Sequence, residues 1–240
     1  MADVRLLEYT SEPERTVAAA ARLCYSRVGV AEIQERMSDA EVARFIRDLV
    51  GMRHFSPFEH ASFTFGIEGV SRVCLNQLVR HRIASYSQQS QRYVKESQFD
   101  YVTPPSVQKN PEALELFRSQ MAQIQETYNR LMEMGIHRED ARYVLPGGCE
   151  SKIVVSMNAR ALLHFFELRT CTRAQWEIRN VANLMLARVR EVAPVLFKEA
   201  GPPCVSQGLC YEGKMSCGKI LRLERRSLPF VAARVVEDLD

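Results

Sequence analysis

The chain has 240 residues, with 32 Lys and Arg against 29 Asp and Glu, a net charge of +3. An apolar content of 46% excludes an intrinsically disordered chain, because there is enough apolar surface to offset the entropy lost on folding. So small a surplus of charge is no argument for nucleic acid. The start, Met1-Ala2-Asp3-Val4-Arg5, does not lead a basic segment into an apolar run, so no signal peptide is expected. Apolar stretches such as 183–189 fall short of the ~20 residues of a membrane span. A cytoplasmic protein without a membrane partner is expected. Cys24, Cys74, Cys149 and Cys171 stand alone in apolar or helical contexts, as small buried hydrophobes do in a reducing compartment.

Ser11-x-x-Glu14 and Ser38-x-x-Glu41 read as capping boxes. The first opens an Ala-rich helix to about Cys24; the second opens a helix with Val42, Phe45, Ile46 and Leu49 on one face. The period then changes, and Phe63, Phe65 and Ile67 alternate with polar or small residues, as in a half-buried strand. Ser71 caps a short helix bearing Leu75, Leu78 and Val79, and 101–106, with its Pro-Pro, reads as a loop. Asn110-Pro111 starts a long helix ending at Gly135. Pro146-Gly147-Gly148 breaks the chain before a second strand over 152–157. Helical patterns follow over 159–169 and from Ala174 to about Ala200, where Gly201-Pro202-Pro203 stops them.

The strands are few and do not alternate with helices. The expected fold is therefore α+β, one domain over 1–200, with a small, mainly antiparallel sheet flanked by helices. Residues 201–240 differ in texture: they are rich in Gly and Cys and end in an apolar run over 231–236, so they read as an appendage.

The charge is unevenly placed. Residues 69–94 hold no Asp or Glu, where about three would be expected, and carry Arg72, Arg80, Arg82 and Arg92. That segment is +4 and the remainder is near neutral. If the helix from Ser71 ran through Arg82, a guanidinium would fall on its apolar face. Either the helix ends near His81 or an anion or carboxylate holds Arg82. The following Ser/Gln run supplies hydroxyls and amides, and Arg suits phosphate through its planar fork of donors. A solvated basic loop paired to acids elsewhere is the plain alternative. A nucleic-acid patch is weakened by the absence of Lys before Lys95.

Two further clusters stand out. His54, Glu59 and His60 do not have the helical spacing of metal ligands, and Ser56-Pro57-Phe58 points to a turn. Asn158 is a good N-cap, and a helix start there offers free N–H groups to an anion, with Arg160, His164 and Arg169 following.

Together these blocks resemble the flavin-dependent thymidylate synthases. The signature is Arg80-His81-Arg82, seven residues, then Ser90-Gln91-Arg92. Its flanks are His54-x-Ser56-Pro57-Phe58-Glu59-His60 upstream, and Asn158-Ala159-Arg160, Leu168-Arg169 and Ala174-Gln175-Trp176-Glu177 downstream. The resemblance implies a homotetramer with active sites at subunit interfaces. It implies FAD held by Ser56, Arg80, His81, Arg82, Gln88, Asn158, Arg160 and His164. It implies dUMP held by Gln77, Arg80, Gln88, Gln89, Ser90, Gln91, Arg92, Arg142 and Arg169. NADPH would reduce the flavin, methylenetetrahydrofolate would donate the carbon, and dTMP would result.

The motif loop has no Cys for thiolate attack on the uracil, and an unassisted serine is a poor nucleophile. Ser90 is therefore read as a positioning and polarising group, and Arg169 as the charge that stabilises the pyrimidine as N3 loses its proton. Gln88 stands where many members carry Glu, and His164 where Asn is frequent. In the tail, Cys204, Cys210 and Cys217, with Cys149, have spacing unlike paired zinc ligands, so no metal is expected.

Overall fold

A computed structural model describes residues 2–94, 96 and 98–220, so the 231–236 run lies outside the described residues. The sheet contains β1 (Asp3–Tyr9), β2 (Ser62–Ser71), β3 (Ser85–Gln88) and β4 (Glu150–Asn158), in the order β1-β2-β4-β3 with every pair antiparallel. The α+β expectation holds. Alternation in β2 buries Phe63, Phe65 and Ile67 against the helices, and Ile153, Val155 and Met157 of β4 join them. Each such side chain contributes roughly 2 kcal/mol by leaving water. The opposite face of the sheet is less covered and leaves Leu7 and Val154 exposed. The β2–β4 register shifts between Ile67 and Val70, where Gly69 takes φ 69°, a left-handed turn that suits glycine at a bulge.

The helices are α1 (Pro13–Leu23), α2 (Val30–Arg36), α3 (Asp39–Gly51), α4 (Arg72–Leu78), α5 (Pro105–Gln108), α6 (Pro111–Glu133), α7 (Arg138–Ala141), α8 (Ala159–Arg169), α9 (Trp176–Val192) and α10 (Pro203–Ser206). Ser38 and Glu41 form the expected capping box on α3. The Ser11–Glu14 box does not form. Glu12 is the N-cap of α1, in a left-handed backbone, and Glu14 instead accepts from the N–H groups of Val195 (2.6 Å) and Leu196 (3.2 Å). Glu14 thus secures the turn beyond α9. That helix stops at Val192, earlier than expected, because Ala193 precedes Pro194 and leaves the helical region at φ −143°, ψ 62°. Arg190 holds the released chain by donating to the carbonyls of Phe197, Lys198 and Ala200.

β1, α2, α7 and the one-turn α5 inside the expected Pro-Pro loop are additions to the sequence reading. So is β3, whose Ser-Tyr-Ser-Gln lacks apolar alternation and forms because β4 offers it a ladder. A smaller core of Phe99, Met121 and Cys149 lies under α6.

The junction of β2 and α4 depends on a buried acid. Glu177 of α9, 4% exposed, accepts from Ser71 N–H (2.7 Å) and from the Ser71 hydroxyl (2.5 Å). The same hydroxyl oxygen accepts from Cys74 N–H at 3.1 Å, capping α4. Glu177→Ala strands both Ser71 donors in the interior and is expected to destabilise by about 2–3 kcal/mol in denaturant unfolding. Glu177→Gln keeps an acceptor and should lose less.

Candidate active site

α8 follows β4 without a loop. Asn158 is the last residue of β4 and also the N-cap, its side chain accepting from Ala161 N–H at 2.9 Å. Ala159 N–H donates to Ala61 O at 2.8 Å, so two N–H groups at this helix start are already engaged. The helix forms one wall of a cavity of about 1230 Å³. Of the residues singled out from the sequence, Arg80, His81, Arg82, Asn158, Arg160, His164 and Arg169 line it. The lining holds seven Arg and Lys against three Glu, which favours an anionic occupant. Leu163, Leu168, Ile83 and Phe55 supply apolar wall.

α4 ends at Leu78, which settles the open question at Arg82: the chain has left the helix, and Arg82 is exposed at the cavity. His81 turns inward. Its ring lies edge-on to Phe165, centroids 4.9 Å apart, and 6.2 Å from His164. Arg169 Nε donates to His81 Nε2 at 3.0 Å, joining the end of α8 to the Arg-His-Arg segment. An imidazole that accepts at Nε2 must be neutral, with its proton on Nδ1. Burial, then the Arg169 charge, then His164 lower the His81 pKa to about 4. His81 is therefore an acceptor that orients Arg169 without adding charge.

At the other end of α8, Arg160 is ion-paired to Glu59 at 2.5 Å. Ser56 opens the short 3-10 turn Ser56–His60 that carries Glu59 and does not itself line the cavity. The remaining predicted residues lie elsewhere. Gln77 donates to Val73 O at 3.3 Å, and Gln88 sits in β3 opposite Ile153. Gln89 N–H donates to Lys152 O, and the Ser90 hydroxyl accepts from Arg92 N–H at 3.2 Å. Gln91 is buried, its amide donating to the Cys149 sulfur at 3.5 Å, so its side chain serves packing in this chain. Arg92 pairs with Glu139 at 2.6 Å, and Arg142 Nε donates to the Glu139 carbonyl at 3.0 Å. One chain thus presents two groups: the cavity set, and a set around Ser90, Arg92 and Arg142.

The tail cysteines gather differently from the expected grouping. Cys204 has its pKa raised by burial and then by Cys217, Cys171 and Cys210, whereas Cys149 lies in the core under α6. Among the described residues, no three His, Cys, Asp or Glu side chains are arranged to hold a metal ion.

Several residues at the site escaped the sequence reading. Glu59 stood in a quoted motif, but nothing in its spacing tied it to Arg160. The Arg169–His81 bond joins residues 88 positions apart. Arg47, Arg53 and Lys198 line the cavity from segments with no motif.

The fold and cavity define an α+β domain with a nucleotide-sized, cation-lined site. The family model described as thymidylate synthase complementing protein matches residues 5–195. A flavin-dependent thymidylate synthase from Clostridium tetani is 51% identical, covering 92% of this chain and 95% of its own. One from Geobacter sulfurreducens is also 51% identical, covering 92% and 96%. Matches of that extent run past residue 200. A solved structure of the UMP/dUMP methylase PolB from Streptomyces cacaoi, bound with 5-Br dUMP, superposes with TM-score 0.74 at 28% identity, covering 82% of this chain and 93% of that one. The chain belongs to the family of flavin-dependent thymidylate synthases.

The His81 geometry has a consequence for stability. Folding disfavours the protonated imidazole, so the unfolded chain binds more protons between its ordinary pKa of 6.5 and the folded value of about 4. Stability contributed by neutral His81 is complete above 6.5 and falls as pH drops toward 4. Thermal unfolding midpoints measured across that window should fall with pH, and His81→Asn should flatten the part of the slope due to this residue.

Proposed function

We propose that the protein reductively methylates dUMP to dTMP, with FAD as redox cofactor, methylenetetrahydrofolate as one-carbon donor and NADPH as reductant. The observation that carries this reading is the Arg169–His81 bond inside a cation-lined cavity, within a chain of this family. The cavity's size and charge fit a dinucleotide. Arg80, Arg82 and Arg160 are placed to meet its phosphates, with Asn158 and His164 beside them, while Leu163, Leu168 and Ile83 offer apolar surface to a ring system. When bound, the flavin supplies hydride and one-carbon transfer, and the protein supplies orientation and electrostatics.

Arg169 is the residue for the pyrimidine. With Nε committed to His81, its two terminal nitrogens remain to stabilise negative charge on the base as N3 loses its proton. Thiolate attack has little support. Burial raises Cys74 to about 12 and Cys149, beside Gln91, to about 11, which keeps both thiols protonated. Among the described residues no base is hydrogen-bonded to the Ser90 hydroxyl, and Ser90 serves to position and polarise the substrate.

The dUMP set of Gln77, Gln88–Arg92 and Arg142 belongs to this reading through a homotetramer, in which one copy offers the cavity and another the Ser90–Arg92 segment. The split of the predicted residues into two groups supports it, as do Leu7 and Val154 on the less covered sheet face. Residues 1–200 are taken as the catalytic domain. The segment from 201 is an appendage, tied back where Arg173 meets Glu212 at 3.4 Å. No helix of the described residues is long and apolar enough to cross a membrane, and a cytoplasmic site of action fits the free thiols.

The protein incubated with FAD, NADPH, methylenetetrahydrofolate and dUMP should release dTMP, and flavin-loaded protein giving no product sinks the reading. Arg169→Ala should abolish turnover while flavin absorbance is retained. Ser90→Ala should lose most of the rate, about a hundredfold or more, with full-rate product excluding the positioning role.

A further inference from the structure

The end of α3 is closed by a backbone that side chains resist. Arg53 N–H donates to Val50 O (3.0 Å) and His54 N–H to Leu49 O (2.9 Å), the paired bonds of a left-handed helix stop. Arg53 occupies the left-handed position, at φ 59°. Glycine is the usual residue there, because a Cβ crowds the following carbonyl. A glycine is close by, but it is Gly51, inside the helix, where a Cβ would meet nothing within 4 Å. The chain therefore places a long cation where glycine is favoured. Strain of this kind persists where the surroundings enforce it and gathers at ligand sites.

The Arg53 side chain lines the large cavity. Among the described residues it makes no hydrogen bond or ion pair, and the same holds for Arg47 and for the Lys198 ammonium, both lining that cavity. Of the three acids that line the cavity, Glu59 is engaged by Arg160 and Glu167 lies 3.9 Å from His164, which leaves Glu199, next to Lys198 in the chain; Asp48, next to Arg47, does not line the cavity. Three cations without a protein partner among the described residues, lining a cavity with one unengaged carboxylate, match a multiply charged phosphate group better than a single carboxylate.

We propose that Arg53, with Arg47 and Lys198, forms an anion site of the cavity, built from the end of α3 and the chain beyond α9, that takes a phosphate group of a bound dinucleotide. The proposal rests on the reading of this cavity as the flavin pocket. The phosphate belongs either to the flavin dinucleotide or to the nicotinamide dinucleotide that reduces it.

The test is Arg53→Gly in the full chain. Glycine relieves the backbone, so the melting temperature should rise, which separates lost binding from damaged folding. The FAD dissociation constant, by flavin fluorescence titration, or the KM for NADPH should weaken by about tenfold, the worth of a charge-assisted hydrogen bond. Arg53→Lys, which keeps the charge, should lose less. A weakened FAD constant assigns the site to the flavin's pyrophosphate. A raised KM for NADPH with that for NADH unchanged assigns it to the 2′-phosphate of the reductant. Unchanged FAD and NADPH constants, or a change confined to the folate KM, overturn the proposal. Failure of the wild-type protein to make dTMP, with FAD binding still weakened by Arg53→Gly, counts against the proposed activity and leaves this site standing.

Discussion

The pairing of β2 with β4 is the constraint on which the cavity depends. Ser62 of β2 lies opposite Asn158 of β4, and Ser71 lies opposite Glu150. The ladder therefore sets the start of α8 beside the entry to β2, where the Ser56–His60 turn carries Glu59. At its other end β2 runs into α4, and the chain leaves α4 into the Arg-His-Arg segment. An eleven-residue helix spans about 16 Å, enough for α8 to reach from one of these places to the other. Its first turn meets Glu59 through Arg160, and its last residue meets His81 through Arg169. Slipping the ladder by one residue would turn Phe63, Phe65 and Ile67 to the open face, so the core that fixes the register also fixes the cavity.

The cations within that frame differ in what holds them inside this chain. Arg160 has Glu59, Arg92 has Glu139 and Arg190 has three backbone carbonyls. Arg169 is different, since its protein partner is a neutral ring that leaves its full charge available. A carboxylate in place of His81 would hold the same geometry but offset the guanidinium charge. The burial that keeps His81 neutral thus leaves the Arg169 charge undiminished, with Phe165 packed edge-on to the ring.

What the sequence disclosed and what it withheld divide along physical lines. Local signals with a strong chemical cause survived into the structure: the Ser38 box, the Asn110 and Asn158 caps, the β2 alternation. Signals that need a distant partner did not. Ser11-x-x-Glu14 has the same letters as a capping box, but Glu14 finds two unsatisfied N–H groups beyond α9 and leaves the box unmade. β3 is polar and becomes a strand only because β4 has a free edge. The cavity set of Arg80, His81, Arg82, Asn158, Arg160, His164 and Arg169 was legible as a list, yet its internal wiring was not. Hydrogen bonds such as Arg169 to His81 connect segments whose separation carries no periodicity.

The split between the cavity set and the Ser90–Arg92 set follows from β3. Its four residues pair with β4 as an edge strand, and the ladder holds the Ser/Gln run against the sheet instead of letting it fold back over the Arg-His-Arg segment. Gln91 then turns into the small core beside Cys149, which anchors the loop after β3 from within its own chain. Ser90 and Arg92, the neighbours on either side, are left outside that core, with Arg92 held by Glu139. A segment fixed in this way cannot reach its own cavity without giving up the β3 ladder and the burial of Gln91. Supplying it from a second copy, as in the homotetramer proposed above, requires neither loss.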